Sequence, residues 1–164
     1  KSRMKLRLLG DIHGCPRMLN EITQNQNRYD LTIQLGDFGI GFPRENKQVL
    51  PEEFLERISA EKVKFFCGNH DDYEKAKEFP HCLGRFGTLE FGNQFIFFDS
   101  GADSTSYDRK QRTPNLDWWS YEVLSLEEQY ECGELYEQVK DKVTLFLSHD
   151  CTYSIAHMIG LITR

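Results

Sequence analysis

Residues 63–71, which read Val-Lys-Phe-Phe-Cys-Gly-Asn-His-Asp, decide the fold, because an apolar, strand-like run ends there abruptly in polar side chains. Gly68 lets the backbone turn, and Asn69, His70 and Asp71 are each able to bind a metal ion or to move a proton. A strand that ends in three such groups adds little to a hydrophobic core at that point. The segment therefore indicates a functional site.

Three other strand-like runs end in the same way. Strands that alternate with helices are typical of an open α/β sheet, in which ligands bind outside the carboxyl ends of the strands. We therefore predict that the four polar segments converge. The other three are Gly10-Asp11-Ile12-His13-Gly14, Gly36-Asp37 and Ser148-His149-Asp150. The predicted strands cover residues 5–9, 31–35, 63–67, 88–91, 94–98 and 143–147. Helices are predicted from residue 16, over 51–60, 72–78 and 124–139, and in part of 152–164. Loops are predicted over 38–48 and 101–120.

The longest predicted loop, residues 101–120, is polar and carries Trp118 and Trp119. Long loops without regular structure are commonly functional or act as lids. We expect the two tryptophans to wall a substrate cleft, with burial in the core as the alternative.

Composition and charge restrict the class of protein. The chain has 164 residues, of which 39% are hydrophobic and 28% charged, and its formal net charge is -6. This balance predicts a single domain over residues 1–164, in which Met4 is a candidate native start and residues 1–3 are an addition. The negative charge and the lack of a basic block disfavour binding to nucleic acid or to an anionic membrane. The charge of a small phosphorylated substrate, by contrast, can be met by metal ions.

The sequence also predicts where the protein works. No apolar run approaches the ~20 residues that span a bilayer, and the N-terminus carries no signal-peptide segment. The five cysteines are widely spaced and include no Cys-X-X-Cys pair. This spacing favours reduced thiols over a disulfide framework or a zinc finger. We expect a cytoplasmic protein with no membrane partner.

The polar strand ends supply carboxylate oxygens, imidazole nitrogens and an amide oxygen. This mixture suits Mn²⁺, Fe²⁺ or Zn²⁺ better than Ca²⁺ or a soft thiolate site. Asp37 stands alone at its strand end and would bridge two ions about 3.5–4 Å apart, which would activate a water between them. His70 would stand over the leaving group, and Asp71 would orient His70 by accepting its second N–H. The candidate metal ligands are Asp11, His13, Asp37, Asn69 and His149.

The four polar segments, in this order and over most of the chain, resemble the successive motifs of the calcineurin-like metallophosphoesterase superfamily. The resemblance implies an α/β fold of the four-layer α/β/β/α sandwich type. It also implies phosphoester hydrolysis with two divalent metal ions, Mn²⁺ being expected and Fe or Zn being the alternatives. His70 matches the catalytic histidine of the family. The implied metal ligands are Asp11 and His13 on one ion, Asp37 as the bridge, and Asn69 and His149 on the other ion.

Two features depart from the pattern of the superfamily. In its protein-phosphatase branch the second motif continues Asp-Arg-Gly, whereas Phe follows Asp37 here, so the arginine that clamps phosphate is absent at that position. Together with Asp71, where that branch has Glu, this argues against a Ser/Thr protein phosphatase. The closing Gly-His-X-His motif is also absent, and His157 does not match it. We therefore expect a C-terminally incomplete sandwich that binds metal more weakly than a complete site.

The predicted function is a metallophosphoesterase, a hydrolase that acts on a phosphomonoester or a phosphodiester of a small or nucleotide-like substrate. The alternative is a weakly active or inactive relative that serves as a binding protein, which the absence of the closing motif favours. A nuclease is disfavoured by the charge of -6. A sheet edge left open by a missing strand would favour pairing between chains, so a homodimer is a further expectation.

Overall fold

The computed structural model describes residues 4–41 and 50–160. The predictions for residues 1–3, for 42–48 of the loop after the second strand and for 161–164 of the tail lie outside these residues. The strands are β1 (Leu6–Leu9), β2 (Leu31–Leu35), β3 (Val63–Phe66), β4 (Phe86–Phe91), β5 (Gln94–Asp99) and β6 (Leu145–Ser148). The helices are α1 (Pro16–Gln24), α2 (Pro51–Leu55), α3 (Tyr73–Ala76), α4 (Ser106–Gln111), α5 (Leu126–Val139) and α6 (Tyr153–Met158), with 3-10 turns at Gln26–Arg28 and Lys140–Lys142.

The first sheet has the order β1-β2-β3, and its strands are all parallel. Helix α1 begins at Pro16, whose fixed φ suits a first helical turn. The helix buries Leu19 and Ile22 in a core that also contains Val63 and Phe65 of β3. Since parallel strands end at the same edge, this packing brings the carboxyl ends of the three strands together.

The second sheet has the order β4-β5-β6. Strands β4 and β5 form an antiparallel hairpin, and β6 runs parallel to β5, with Ser148 opposite Asp99. The open parallel arrangement thus holds for β1, β2 and β3, whereas β6 lies in the second sheet of the sandwich. The reason is that β5 is apolar on both faces and offers β6 a buried neighbour, which local periodicity does not reveal.

The two sheets pack face to face. Phe66 of β3 stacks on Phe98 of β5 with ring centroids 5.7 Å apart, within a core shared by both sheets. On the other face of the second sheet, Tyr136 of α5 packs edge-on against Phe97 at 5.2 Å. Helices α1 and α2 cover the first sheet and α5 covers the second, which confirms the α/β/β/α sandwich.

Several local predictions can be compared with the structure. Ser125 caps α5 in a reciprocal capping box with Glu128, as the sequence predicts. The helix predicted over 51–60 ends earlier, at Leu55. The loop predicted over 101–120 contains α4, which Thr105 caps through the Asp108 amide. Trp119 is buried, with 2% of its surface exposed, so the expectation that it walls a cleft was wrong.

All five cysteines are free thiols in the structure. Over residues 4–41 and 50–160, the helices are too short or too polar for any of them to cross a bilayer.

Candidate metal centre

The loops that follow β1 and β2 are joined by backbone hydrogen bonds. The amides of Ile12 and His13 donate to the Asp37 carbonyl at 3.0 and 2.8 Å, and the Gly14 amide donates to the Phe38 carbonyl at 2.8 Å. His13 and Asp37 have φ angles of 47° and 56°, in the left-handed region. Such conformations cost about 1–3 kcal/mol for a non-glycine residue and cluster at functional sites. The backbone is therefore held in a strained shape that aims both side chains at one place.

Asp37 is the centre of this place. Its side chain is 5% exposed, and its Oδ1 accepts the His70 amide at 2.9 Å. The Nε2 atom of His149 lies 3.4 Å from Oδ1, while the Nε2 atoms of His13 and His70 lie 3.5 and 4.0 Å from Oδ2. Three imidazoles therefore surround one buried carboxylate.

The ligand atoms form two groups, and Asp37 belongs to both. One group joins Asp11, Asp37 and His149, and the other joins His13, Asp37 and His70, with the atoms of each group within 4.8 Å of one another. Asp11 is thus grouped with His149, although its Oδ2 also lies 3.7 Å from His13 Nε2. Carboxylate oxygens and imidazole nitrogens at this spacing fit a divalent ion of the Mn²⁺, Fe²⁺ or Zn²⁺ type.

Two glycines make this close approach of side chains possible. A Cβ on Gly68 would lie 2.2 Å from Asp37 Oδ1 and 2.6 Å from His149 Nε2. A Cβ on Gly36, which has φ +92°, would lie 2.5 Å from His149 Nδ1. The strand ends therefore leave space for side chains of other loops, which only glycine allows.

The electrostatics of the pair formed by Asp37 and His149 favour positive charge at this point. Burial disfavours ionisation of Asp37, but the hydrogen bond and charge of His149 and the His70 amide lower the pKa of the carboxyl. Burial also disfavours the imidazolium, yet Asp37 and the Leu35 carbonyl raise the pKa of His149 to about 9. The carboxylate thus attracts a cation in its immediate neighbourhood, as a metal site requires.

The orientation of His149 also suits a ligand. Its Nδ1 atom lies 2.8 Å from the Leu35 carbonyl oxygen, to which it donates. This bond leaves Nε2, the atom that faces Asp37, as the ligand nitrogen. A backbone carbonyl that sets the tautomer in this way is a common feature of metal-binding histidines.

Asn69 is held by the segment between β5 and α5. Its Nδ2 atom donates to the Ser104 hydroxyl at 2.9 Å, which assigns Oδ1 as the end that can bind a metal ion. Ser104 is itself held by the buried Glu122, which accepts from the Ser104 amide at 3.0 Å and from its hydroxyl at 2.5 Å. Sequence reasoning missed Ser104 and Glu122, because neither belongs to a motif.

His70 contacts a cation that sequence reasoning also missed. Arg112 Nη2 lies 2.6 Å from His70 Nε2, and Arg112 Nη1 donates to the Ser104 hydroxyl at 3.3 Å. Since a guanidinium only donates, His70 accepts through Nε2 and is neutral in this arrangement. Burial lowers the pKa of His70, and the charge of Arg112 lowers it further, although Asp37 opposes both. The only signal for Arg112 was its place in a loop predicted to be functional.

Asp71 has partners other than the predicted one. Its buried carboxylate accepts four backbone amides, from Phe38, Gly39, Ile40 and Gly68, at 2.6–3.1 Å. Four donors fill the acceptor capacity of a carboxylate. Asp71 therefore ties the loop after β2 to the loop after β3, which positions Asp37 and His70, and its orientation of the His70 ring stays a prediction.

The family model of the calcineurin-like phosphoesterases matches residues 4–160. A solved structure described as YfcE, a phosphoesterase from E. coli, aligns with 24% identity and a TM-score of 0.44, covering 60% of this chain and 58% of that one. No curated protein matches the chain. Since the family model spans nearly the whole sequence, the chain belongs to the calcineurin-like phosphoesterases, a family of metal-dependent hydrolases that act on ester bonds.

Proposed function

We propose that the chain hydrolyses phosphate monoesters or diesters, with Asp37 bridging two divalent ions and His70 assisting the leaving group. The observation that carries this proposal is the membership of Asp37 in both groups of ligand atoms. A carboxylate shared by two groups suits a pair of ions about 3.5–4 Å apart. The family supports the reaction class, and the arrangement of donors supports the assignment of roles.

The candidate metal ligands divide between the two ions. Asp11 and His149 would hold one ion with Asp37, while His13 would hold the second with Asp37. Asn69 Oδ1 is a further ligand, because Ser104 engages the amide nitrogen. Bound divalent ions of the Mn²⁺, Fe²⁺ or Zn²⁺ type would lower the pKa of water and offset the charge of phosphate oxygens.

His70 would act on the leaving group through Nε2. To give a proton to a leaving oxygen this atom must carry one, whereas it now accepts a hydrogen bond from Arg112. Arg112 must therefore move away from Nε2 before His70 acts as an acid. Asp71 has a positioning role, since it holds the backbone that follows Asp37, at Phe38, and the backbone that precedes His70, at Gly68.

The substrate class is inferred from the net charge and from the lack of a Lys/Arg block in the sequence. We infer a small phosphorylated compound, nucleotide-like or simpler, because the net charge of -6 disfavours a long polyanion. Its phosphoryl group would be met by the ions and by nearby cations rather than by a broad positive face.

The test compares hydrolysis of 4-nitrophenyl phosphate and of bis(4-nitrophenyl) phosphate, with and without Mn²⁺. The unchanged chain should turn over at least one ester in a Mn²⁺-dependent manner. Asp37→Asn should lower kcat/KM by about 10³-fold, since it removes a charge shared by both ions. Asp141→Asn, at an exposed aspartate of a 3-10 turn, is the matched control and should be neutral.

Two results would contradict the proposal. Turnover that survives Asp37→Asn, in a variant that folds by circular dichroism, would exclude the bridging role. No turnover with any divalent ion, together with measurable Mn²⁺ binding by calorimetry, would favour the alternative of a binding protein.

A further inference from the structure

A cation lies beside the candidate catalytic histidine on a segment outside all four motifs. We propose that Arg112 binds the phosphoryl group of the substrate and supplies the positive charge that is missing after Asp37. This inference rests on the proposed function in one respect, namely that the ligand of the site is a phosphoryl group.

The partners of Arg112 leave its charge available to an anion. Its hydrogen bonds go to a hydroxyl and to a neutral imidazole, those of Ser104 and His70. In the described ranges 4–41 and 50–160, no carboxylate lies within ion-pair distance of Arg112. Arg109, one helical turn earlier, is by contrast paired with Asp103 and lies 3.6 Å from Glu122. Two arginines on one short segment thus differ in their partners: Arg109 is ion-paired, whereas Arg112, whose charge also acts on Asp108, contacts a hydroxyl and an imidazole at the site.

The position of Arg112 suits a phosphoryl group held at the candidate metal centre. Its Nη2 is 2.6 Å from His70 Nε2, and that atom is 4.0 Å from Asp37 Oδ2. A guanidinium presents its N–H groups in a fork that matches the oxygens of phosphate. An anionic oxygen is a stronger acceptor than a neutral imidazole. Phosphate would therefore accept the hydrogen bond that the Arg112 N–H now donates to His70. Binding would then free His70 Nε2 from Arg112, so that this nitrogen could take up a proton from solvent and pass it to the leaving group.

The segment that carries Arg112 is held in place before any substrate binds. The Ser104 hydroxyl links Arg112 to the buried Glu122. Farther along the segment, the Tyr121 hydroxyl donates to Asp72 at 2.8 Å, and Asp72 is the N-cap of α3. Because Arg112 is half-buried and already bonded, little side-chain entropy would be lost when phosphate binds.

The experiment is a calorimetric titration of inorganic phosphate into the Mn²⁺-loaded chain. Arg112→Gln should weaken phosphate binding by about 10–100-fold, since one charged bidentate contact is lost. Arg112→Lys should lose less phosphate affinity, because lysine keeps the positive charge although it lacks the forked N–H groups of the guanidinium. Lys110→Gln, an equal change of charge at an exposed residue of α4, should stay within about twofold of the unchanged chain. Mn²⁺ affinity, titrated separately, should be the same in all four proteins.

The outcomes separate this inference from the proposed function. Phosphate affinity that is unchanged in both Arg112 variants, or lowered equally by Lys110→Gln, would overturn the role of Arg112. A loss of phosphate affinity confined to the Arg112 variants supports it. If such a loss occurs while the unchanged chain hydrolyses neither aryl ester, the hydrolase assignment fails and the binding role of Arg112 stands.

Discussion

The candidate site is built from two regions that are organised differently. In the loops after β1, β2 and β3, backbone hydrogen bonds fix the side chains: the Asp37 carbonyl and the Asp71 carboxylate together accept six backbone amides. In the segment between β5 and α5, side chains hold one another, as in the chain of bonds from Asn69 through Ser104 to Glu122. The first region presents the metal ligands, and the second presents Arg112.

The two regions should differ in which amino-acid substitutions they tolerate. Loops joined as in the first region keep their shape when a side chain other than that of Asp71 is altered, unless the new atoms enter the space between them. A network of side chains depends on each member, because removal of one leaves a buried polar partner unsatisfied. Substitutions that add atoms between the loops should therefore disrupt the first region, whereas the loss of a single hydroxyl should disrupt the second.

The largest expected effect is that of Gly68→Ala. The new Cβ would lie 2.2 Å from Asp37 Oδ1 and 2.7 Å from the Asp37 backbone nitrogen, so the loops must separate. We expect Mn²⁺ affinity to fall by about 100-fold or more and the free energy of unfolding to fall by about 1–3 kcal/mol. Calorimetry and urea unfolding would measure the two changes.

Gly10→Ala is the control, because a Cβ there meets nothing within 4 Å although the residue also follows a strand. Equal metal affinity in the Gly10 and Gly68 variants would show that close approach at Gly68 is not what the site requires.

A smaller effect is expected for Ser104→Ala. The change removes the acceptor of Asn69 Nδ2 and of Arg112 and leaves one oxygen of the buried Glu122 without its hydroxyl donor. We expect kcat/KM to fall by about tenfold and the free energy of unfolding to fall by about 1–3 kcal/mol. Ser106→Ala, at an exposed first residue of α4, should change neither quantity. A Ser104 variant with full activity would mean that Asn69 and Arg112 are positioned by other contacts.

The smallest effect concerns two carboxylates at strand ends whose pKa values are shifted in opposite directions. The pKa of Asp37 is lowered, whereas burial and the nearby Asp150 raise the pKa of Asp99 to about 6. A folded-state pKa above the unfolded value means that stability falls as the pH rises from about 4 to about 6. Asp99→Asn should abolish this fall, so the variant should be more stable than the unchanged chain by about 1–2 kcal/mol at pH 7, a value reduced for partial exposure.

Urea unfolding at pH 4 and at pH 7 would measure the difference. At pH 4 the two proteins should be nearly equal. A stability difference that is the same at both pH values would contradict a titration of Asp99 and would indicate a packing effect of the substitution instead.

The sequence predicted the fold class and the four residues now grouped with Asp37, but it did not give the partners of every side chain or strand. The carboxylate of Asp71 accepts four amides of two loops, which no motif indicates. Strand β6 pairs with β5, and its apolar pattern alone does not select that neighbour. The two cases share a cause, since a residue type limits which bonds can be made but does not select the partner.

By itself, the sequence determined that Asp11, His13, Asp37, Asn69, His70 and His149 follow strands, because apolar runs that end in glycine and polar residues are local signals. It also placed a glycine at position 68, but the reason that glycine is needed there, the close approach of Asp37 and His149, is a tertiary contact. Only the tertiary structure decided that Ser104, Arg112 and Glu122 belong to the same place. Their positions depend on long-range packing of the segment between β5 and α5 against the ends of β2 and β3, and no local pattern in a single chain encodes such a contact.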